Sequence, residues 1–182
     1  FDSALQSTIR GDLPAPLTAF FTKVTHVMDT KIIVIWVGLL LAVFAYKKWY
    51  SEALFLGSNL VLTGLLVLLL KNIYQRPRPS ILHLVEEKGF SFPSGHSLAS
   101  SLVLGSLIII ISQHVKHKTA RFCLQGLLLL GIVTIVVSRI YVGVHYPSDV
   151  LGSMILGLAV LQFEYPLYDR LRFQWRFTGK QK

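Results

Sequence analysis

Charge is scarce in this chain. Of its 182 residues, Asp, Glu, Lys and Arg make up 15 %, and acidic residues number nine. With one cysteine, Cys123, an intrachain disulfide or a cysteine-held metal cluster is excluded. Cys123 lies in an apolar run, and packing is its expected role. None of the polar clusters is built on a carboxylate pair. No internal repeat and no long linker divide the chain, which reads as a single domain, 1–182. It does not open on methionine; Phe1 is expected to be the product of processing or truncation, with a signal segment or a first span missing before it.

Apolar sequence is what the chain has in excess. Hydrophobic residues make up 53 %, and the mean hydropathy is +0.58. Runs without charge occupy 32–46, 53–70, 97–113, 122–138 and 150–163. A spanning helix needs about 20 apolar residues, with a range of about 17–25. The shorter runs gain length from flanking residues such as Tyr46, Lys47, Trp49 and Tyr50, which sit at or snorkel to the interface. Five such runs leave no polar shell for a soluble helical protein. The fold class is therefore all-α: a polytopic membrane helix bundle with five spans in this chain and six expected in the full protein.

The formal charge of +9 would point to nucleic acid in a soluble protein, but its distribution gives another reading. Lys47 and Lys48, then Lys116, Lys118 and Arg121, then the tail with Arg170, Arg172, Arg176, Lys180 and Lys182 all fall on one side of a five-span bundle. This is the positive-inside pattern, and that side is expected to be cytoplasmic. The basic tail, 165–182, suits anionic lipid headgroups. Residues 1–30 are expected as an outer interfacial helix or lid, and the 71–96 and 139–149 segments as outer loops.

Those outer segments carry the chemistry. Lys71 ends the second run, and Arg76-Pro77-Arg78-Pro79 follows; the prolines block helix continuation and hold both arginines on extended backbone. Pro93-Ser94-Gly95-His96 opens the third span. Ser94 is a good N-cap, Gly95 allows close backbone approach, and the helix start can receive an anion. Ser138-Arg139 ends the fourth span. His145-Tyr146-Pro147-Ser148-Asp149 opens the fifth, with Pro147 suited to a first turn and Asp149 placed to reach a ring nitrogen of His145. Fixed cations stabilise a phosphoryl group in transit; Lys71, Arg78 and Arg139 supply them, with Ser94 and the Gly95 backbone as neutral donors. An unprotonated histidine can attack, with an aspartate fixing its tautomer, and a second histidine can protonate the leaving alkoxide and then activate water. His145 and His96 fit those roles.

Written as spacings, these clusters are K-x6-RP over Lys71–Pro79, PSGH over Pro93–His96 and SR-x5-H-x3-D over Ser138–Asp149. They match without substitution the three-part signature of the type 2 phosphatidic acid phosphatase and haloperoxidase superfamily, and the surrounding spans resemble its membrane branch. The resemblance implies that His145 forms the phosphoenzyme with Asp149 supporting it. It makes His96 the general acid, and assigns Lys71, Arg78, Ser94, Gly95 and Arg139 to phosphate binding. It implies no metal and no cofactor. The small size, short loops and charge pattern resemble bacterial members. The expectation is a multi-pass cell-membrane phosphatase acting at the outer side on a lipid phosphate, with no nucleic-acid partner and protein partners left open. Phosphatidylglycerophosphate is the first expected substrate, undecaprenyl diphosphate the second and phosphatidic acid the third. A vanadate-dependent haloperoxidase and a non-enzymatic lipid transporter are the rival classes. The spans argue against the first; the His145/Asp149 pair argues against the second.

Other polar residues fall outside the signature. Arg76 is read either as a guide for an anionic headgroup or as a solvated loop charge. His83, Glu86, Glu87 and Lys88 are read as loop surface with substrate contact possible, and Phe90 and Phe92 as loop anchors. Tyr141 and Tyr146 are divided between pocket lining and packing. His26 is not assigned to catalysis, and His114 and His117 lie on the opposite side.

Overall fold

Each apolar run folds as a helix, the state in which a segment satisfies its own backbone groups in lipid. A computed structural model describes all residues 1–182. Its helices are α1 (Asp2–Arg10), α2 (Ala15–Thr25), α3 (Thr30–Tyr46), α4 (Tyr50–Tyr74), α5 (Gly95–His114), α6 (Lys118–Tyr141) and α7 (Pro147–Phe177). A 3₁₀ turn, His26–Met28, prolongs α2 to a bend of 56° before α3. Four helices, α4 to α7, are long and apolar enough to cross a membrane, or five spans if the bent α2–α3 pair is one. The chain is a multi-pass membrane protein.

The outward faces of the helices are apolar, unlike those of a water-soluble bundle, and buried hydroxyls and amides accompany the hydrophobic core. Leu65, Leu68, Leu127 and Leu130 point outward, each more than half exposed. Asn59, Ser97, Ser100, Ser106, Ser138 and Ser153 are buried with relative exposures of 0 %. Small and hydroxylated residues let helices approach closely where lipid gives no hydrophobic drive to association. The tightest case joins α5 to α7. Helix α5 widens to a π turn over Ser100–Leu104, and a Cβ added to Gly157 of α7 would lie 2.6 Å from Ser101 Cβ. Cys123, expected to pack, is instead exposed on α6; the residues that this helix buries begin at Ile132, nearer its other end.

Helix α7 runs 31 residues, about 46 Å at 1.5 Å per residue, well past the hydrocarbon core. The basic tail is thus largely a continuation of the fifth helix. Its end folds back on the bundle: Gln181 Oε1 accepts from Ser51 N at 2.8 Å, and Arg176 Nη2 lies 3.4 Å from Glu52 Oε1. Glu52 is fully buried and also meets His114 Nε2 at 2.8 Å. This knot joins α4, α5 and α7 at the end that carries Lys47, Lys48, Lys116 and Lys118. The signature clusters are gathered at the other end. There α1 and α2 lie against α6 and α7, with Tyr141 buried in hydrogen-bond contact with Thr18 at 2.9 Å and its ring tilted against that of Phe21, centres 4.7 Å apart.

Candidate active site

Helix α4 does not stop at Lys71 but continues to Tyr74. It ends at Gln75, whose left-handed backbone (φ 44°, ψ 34°) turns the chain out before the prolines. Lys71 consequently projects from the last helical turn. Arg78 is fixed by backbone: Nη1 donates to Val144 O at 2.8 Å, Nε to Gly89 O at 3.1 Å and Nη2 to Lys88 O at 3.0 Å. Arg139, on the last turn of α6, is 1 % exposed. Its guanidinium donates to Thr25 Oγ1 and to Glu87, while Nε has no partner.

Ser94 caps α5, its Oγ accepting from Ser97 N at 3.4 Å and lying 2.9 Å from Ser97 Oγ. The hydroxyl expected to face phosphate is therefore buried and engaged by the helix start. Gly95 and His96 line a cavity of about 340 Å³, as do Lys71, Glu87 and His145. Met28 and Ile33 wall it on one side and Leu60 and Val67 on the other, so it runs between α3 and α4.

His145 lies in the short link between α6 and α7. Gly143, at φ 85°, makes the turn that places it; a Cβ there would sit 2.6 Å from Leu82 O. The imidazole is 2 % exposed. Burial first, then the charges of Arg139, Arg78, Lys71 and His96, pull its pKa well below the ordinary histidine value. It is therefore a neutral base at neutral pH, with Nε2 3.4 Å from Arg78 Nη1. Its backbone carbonyl accepts from Gln6 Nε2 of α1 at 3.2 Å.

Asp149 stands at the third position of α7 and is fully buried. Its Oδ2 caps the helix by accepting from Tyr146 N at 3.1 Å. The direct bond to the His145 ring expected from the spacing is replaced by a longer approach, Nδ1 to Oδ2 at 3.9 Å. Ser91 fills the gap. Its hydroxyl donates to Asp149 Oδ2 at 2.5 Å and lies 3.4 Å from His145 Nδ1. The other carboxylate oxygen accepts from Arg76 Nη1 at 2.5 Å.

Four residues here carry no signal in the motif spacing. Arg76 is not a free loop charge: it bridges Asp149 and Asp2, lies 2.8 Å from Ser148 Oγ and stacks 4.3 Å from the Tyr146 ring centre. Glu87 is not loop surface: its carboxylate sits between Arg139 and Arg78, 3.5 Å from Arg78 Nη2. Burial opposes its ionisation, but Arg139, His96 and Arg78 outweigh that and hold its pKa below the usual carboxylate range. Ser91 and Asp29, the latter 3.0 Å from His96 Nε2, complete the set. Only the alternating Arg-Pro pairs hinted that Arg76 was as constrained as Arg78. Phe92 anchors the loop against Tyr74, with ring centres 5.0 Å apart.

The arrangement can bind a tetrahedral dianion among Lys71, Arg78 and Arg139, present a neutral histidine nitrogen to it, and offer a second histidine from α5. Comparisons with known proteins place the chain in a family. Residues 52–173 match the PAP2 superfamily. The chain is 34 % identical over 154 residues to phosphatidylglycerophosphatase B of Bacillus subtilis (strain 168), covering 78 % of this chain and 70 % of the relative. It is 30 % identical over 147 residues to undecaprenyl-diphosphatase BcrC of the same organism, covering 77 % and 71 %. The crystal structure of a transmembrane PAP2 type phosphatidylglycerolphosphate phosphatase from Bacillus subtilis superposes with a TM-score of 0.85 at 25 % identity, over 93 % of this chain and 85 % of that one. On these grounds the chain belongs to the PAP2 superfamily, as a membrane-embedded lipid phosphate phosphatase.

Proposed function

We propose that this bacterial-type phosphatase converts phosphatidylglycerophosphate to phosphatidylglycerol at the outer, non-cytoplasmic face of the cell membrane. The observation that carries the reading is a neutral, buried histidine among three cations at the polar end of a cavity walled by α3 and α4 side chains. A lipid headgroup could enter that cavity while its tails stay among the apolar faces of the helices. The basic links and tail at the opposite end support an outward-facing site.

In this reading the phosphate takes the place of the Glu87 carboxylate between Arg78 and Arg139, and Lys71 adds the third cation. Arginine forks hold two oxygens each, and lysine supplies a point charge. His145 Nε2 attacks phosphorus; the P–N bond forms as the ester P–O bond breaks. Asp149, acting through the Ser91 hydroxyl, keeps the proton on Nδ1 and steadies the positive ring. His96 gives its proton to the leaving alkoxide. Water then attacks the phosphohistidine, passing a proton to His96, and inorganic phosphate leaves. No metal or cofactor enters these steps.

Undecaprenyl diphosphate is the second reading, supported by the resemblance to a named undecaprenyl-diphosphatase. The test is phosphate release by detergent-solubilised protein in EDTA, with phosphatidylglycerophosphate, undecaprenyl diphosphate and phosphatidic acid compared side by side. Fastest release from the first is the expected result. A higher kcat/KM on undecaprenyl diphosphate reverses the assignment, and activity restored only by a divalent ion overturns the metal-free mechanism.

A further inference from the structure

Asp29 stands at the N-cap of α3, in the bend that joins α2 to α3. It lies outside residues 52–173, the part matched by the family. An aspartate in this position ordinarily accepts from the exposed N–H groups of the first turn. This one makes no capping bond with its side chain, although its carbonyl accepts from Ile33 N at 2.9 Å. Both carboxylate oxygens are turned to histidines instead. Oδ1 lies 3.0 Å from His96 Nε2, and Oδ2 lies 2.7 Å from His26 Nδ1.

An ionised carboxylate only accepts, so Nε2 of His96 carries a proton in this arrangement. Nδ1 is then the nitrogen left for chemistry in the cavity. A general acid needs its ring held in one orientation and its positive form compensated, and an adjacent carboxylate does both. The compensation matters here because Lys71 lines the same cavity as His96 and the charge of Arg139 also acts on the ring.

We infer that Asp29 is the positioning residue of the acid histidine, holding His96 by Nε2 so that Nδ1 presents its proton to the leaving oxygen. The inference rests on the reading of His96 as general acid. As the ester P–O bond breaks, the alkoxide takes the proton from Nδ1 and the imidazolium becomes imidazole. Nε2–H stays donated to Asp29. When water attacks the phosphohistidine its proton passes to Nδ1 and restores the imidazolium. Asp29 takes up no proton in either half-reaction.

The test compares wild type, His96→Ala and Asp29→Asn of the full chain in detergent. The substrates are dioctanoyl phosphatidylglycerophosphate, with a poor alkoxide leaving group, and p-nitrophenyl phosphate, whose leaving group needs no proton. Vanadate affinity is measured in parallel. General acid catalysis contributes about 10²–10⁴-fold. His96→Ala should lose on that order with the alkyl ester and far less with the aryl ester. Asp29→Asn should show the same asymmetry at about 10–100-fold, with vanadate affinity within threefold of wild type, and should add no further loss in the double variant. Equal losses on both esters for Asp29→Asn, or loss of vanadate binding, would make Asp29 structural and overturn the inference. Equal losses for His96→Ala itself would instead remove the acid role, and the inference with it.

Discussion

At the residue scale the site is governed by one contrast: a buried neutral base surrounded by cations, and a partly exposed anion, Glu87, that neutralises part of their charge. Because burial and then the charges of Arg139, Arg78, Lys71 and His96 depress the His145 pKa, its imidazole, the proposed nucleophile, is protonated only under acid conditions. The ascending limb of kcat/KM against pH should therefore lie below about 6.5, the free histidine value. Removing one cation should move that limb upward. Arg78→Gln should do so while also raising KM, and an unmoved limb would show that burial alone sets the nucleophile. Glu87 has the complementary behaviour. Its depressed pKa means that it contributes stability above the usual carboxylate range, and that this contribution is lost as pH falls through the folded-state value. Glu87→Gln leaves the arginines facing each other, so the variant should melt earlier than wild type. It also removes a competitor for the phosphate position. Vanadate should bind it about 10-fold more tightly, equivalent to ~1.4 kcal/mol, and should raise its melting temperature more than it raises that of wild type. Weaker vanadate binding would mean that Glu87 orders the arginines rather than occupying their anion position.

At the element scale the helices are held by close approach of small residues and by polar bridges between segments distant in sequence. Gly105 and Gly157 both lie between α5 and α7, yet their environments differ. A Cβ at Gly105 would lie 2.5 Å from Leu161 Cδ1, the far end of a flexible side chain that can swing aside. At Gly157 the obstacle is Ser101 Cβ, fixed to the π turn of α5. Gly157→Ala should therefore cost about 1–3 kcal/mol, the range for overpacking, whereas Gly105→Ala should be nearly neutral. Thermal denaturation in detergent separates the two; equal melting temperatures would show that the helices slide apart without penalty. The same scale explains the N-terminal helix. Its sequence reads as an interfacial segment, but Asp2 Oδ1 accepts from Ser148 N at 2.8 Å, Gln6 holds the His145 carbonyl, and Arg10 Nη2 donates to Leu82 O at 2.8 Å. Helix α1 thus buttresses the loop that carries His145.

For the whole molecule, the sequence carried what depends on local periodicity and spacing. The uncharged runs gave the helices, the lysines gave the two ends of the bundle, and the three clusters named residues that the fold gathers at one end. What stayed illegible are pairings across the fold. Asp29 lies 67 residues from His96, Ser91 lies 58 from Asp149, and Glu87 lies 52 from Arg139. No local pattern encodes such contacts; they exist only once α3, the loop between α4 and α5, and α6 converge. The cavity between α3 and α4 belongs to the same category, and in the proposed function it is the route by which a lipid would reach the histidines. Gly64 of α4 lines it, and a Cβ there would meet nothing within 4 Å. A large side chain at this position can fill the passage without disturbing the packed interior. Gly64→Phe should therefore raise KM for a long-chain lipid phosphate about 10-fold or more, with p-nitrophenyl phosphate hydrolysis and vanadate inhibition kept within about twofold, since ~1.4 kcal/mol of lost binding is a factor of ten. Equal impairment of the lipid and the soluble ester would place the substrate route elsewhere, through the loop between α4 and α5 rather than between the helices, because only a passage used by the tails discriminates between the two esters.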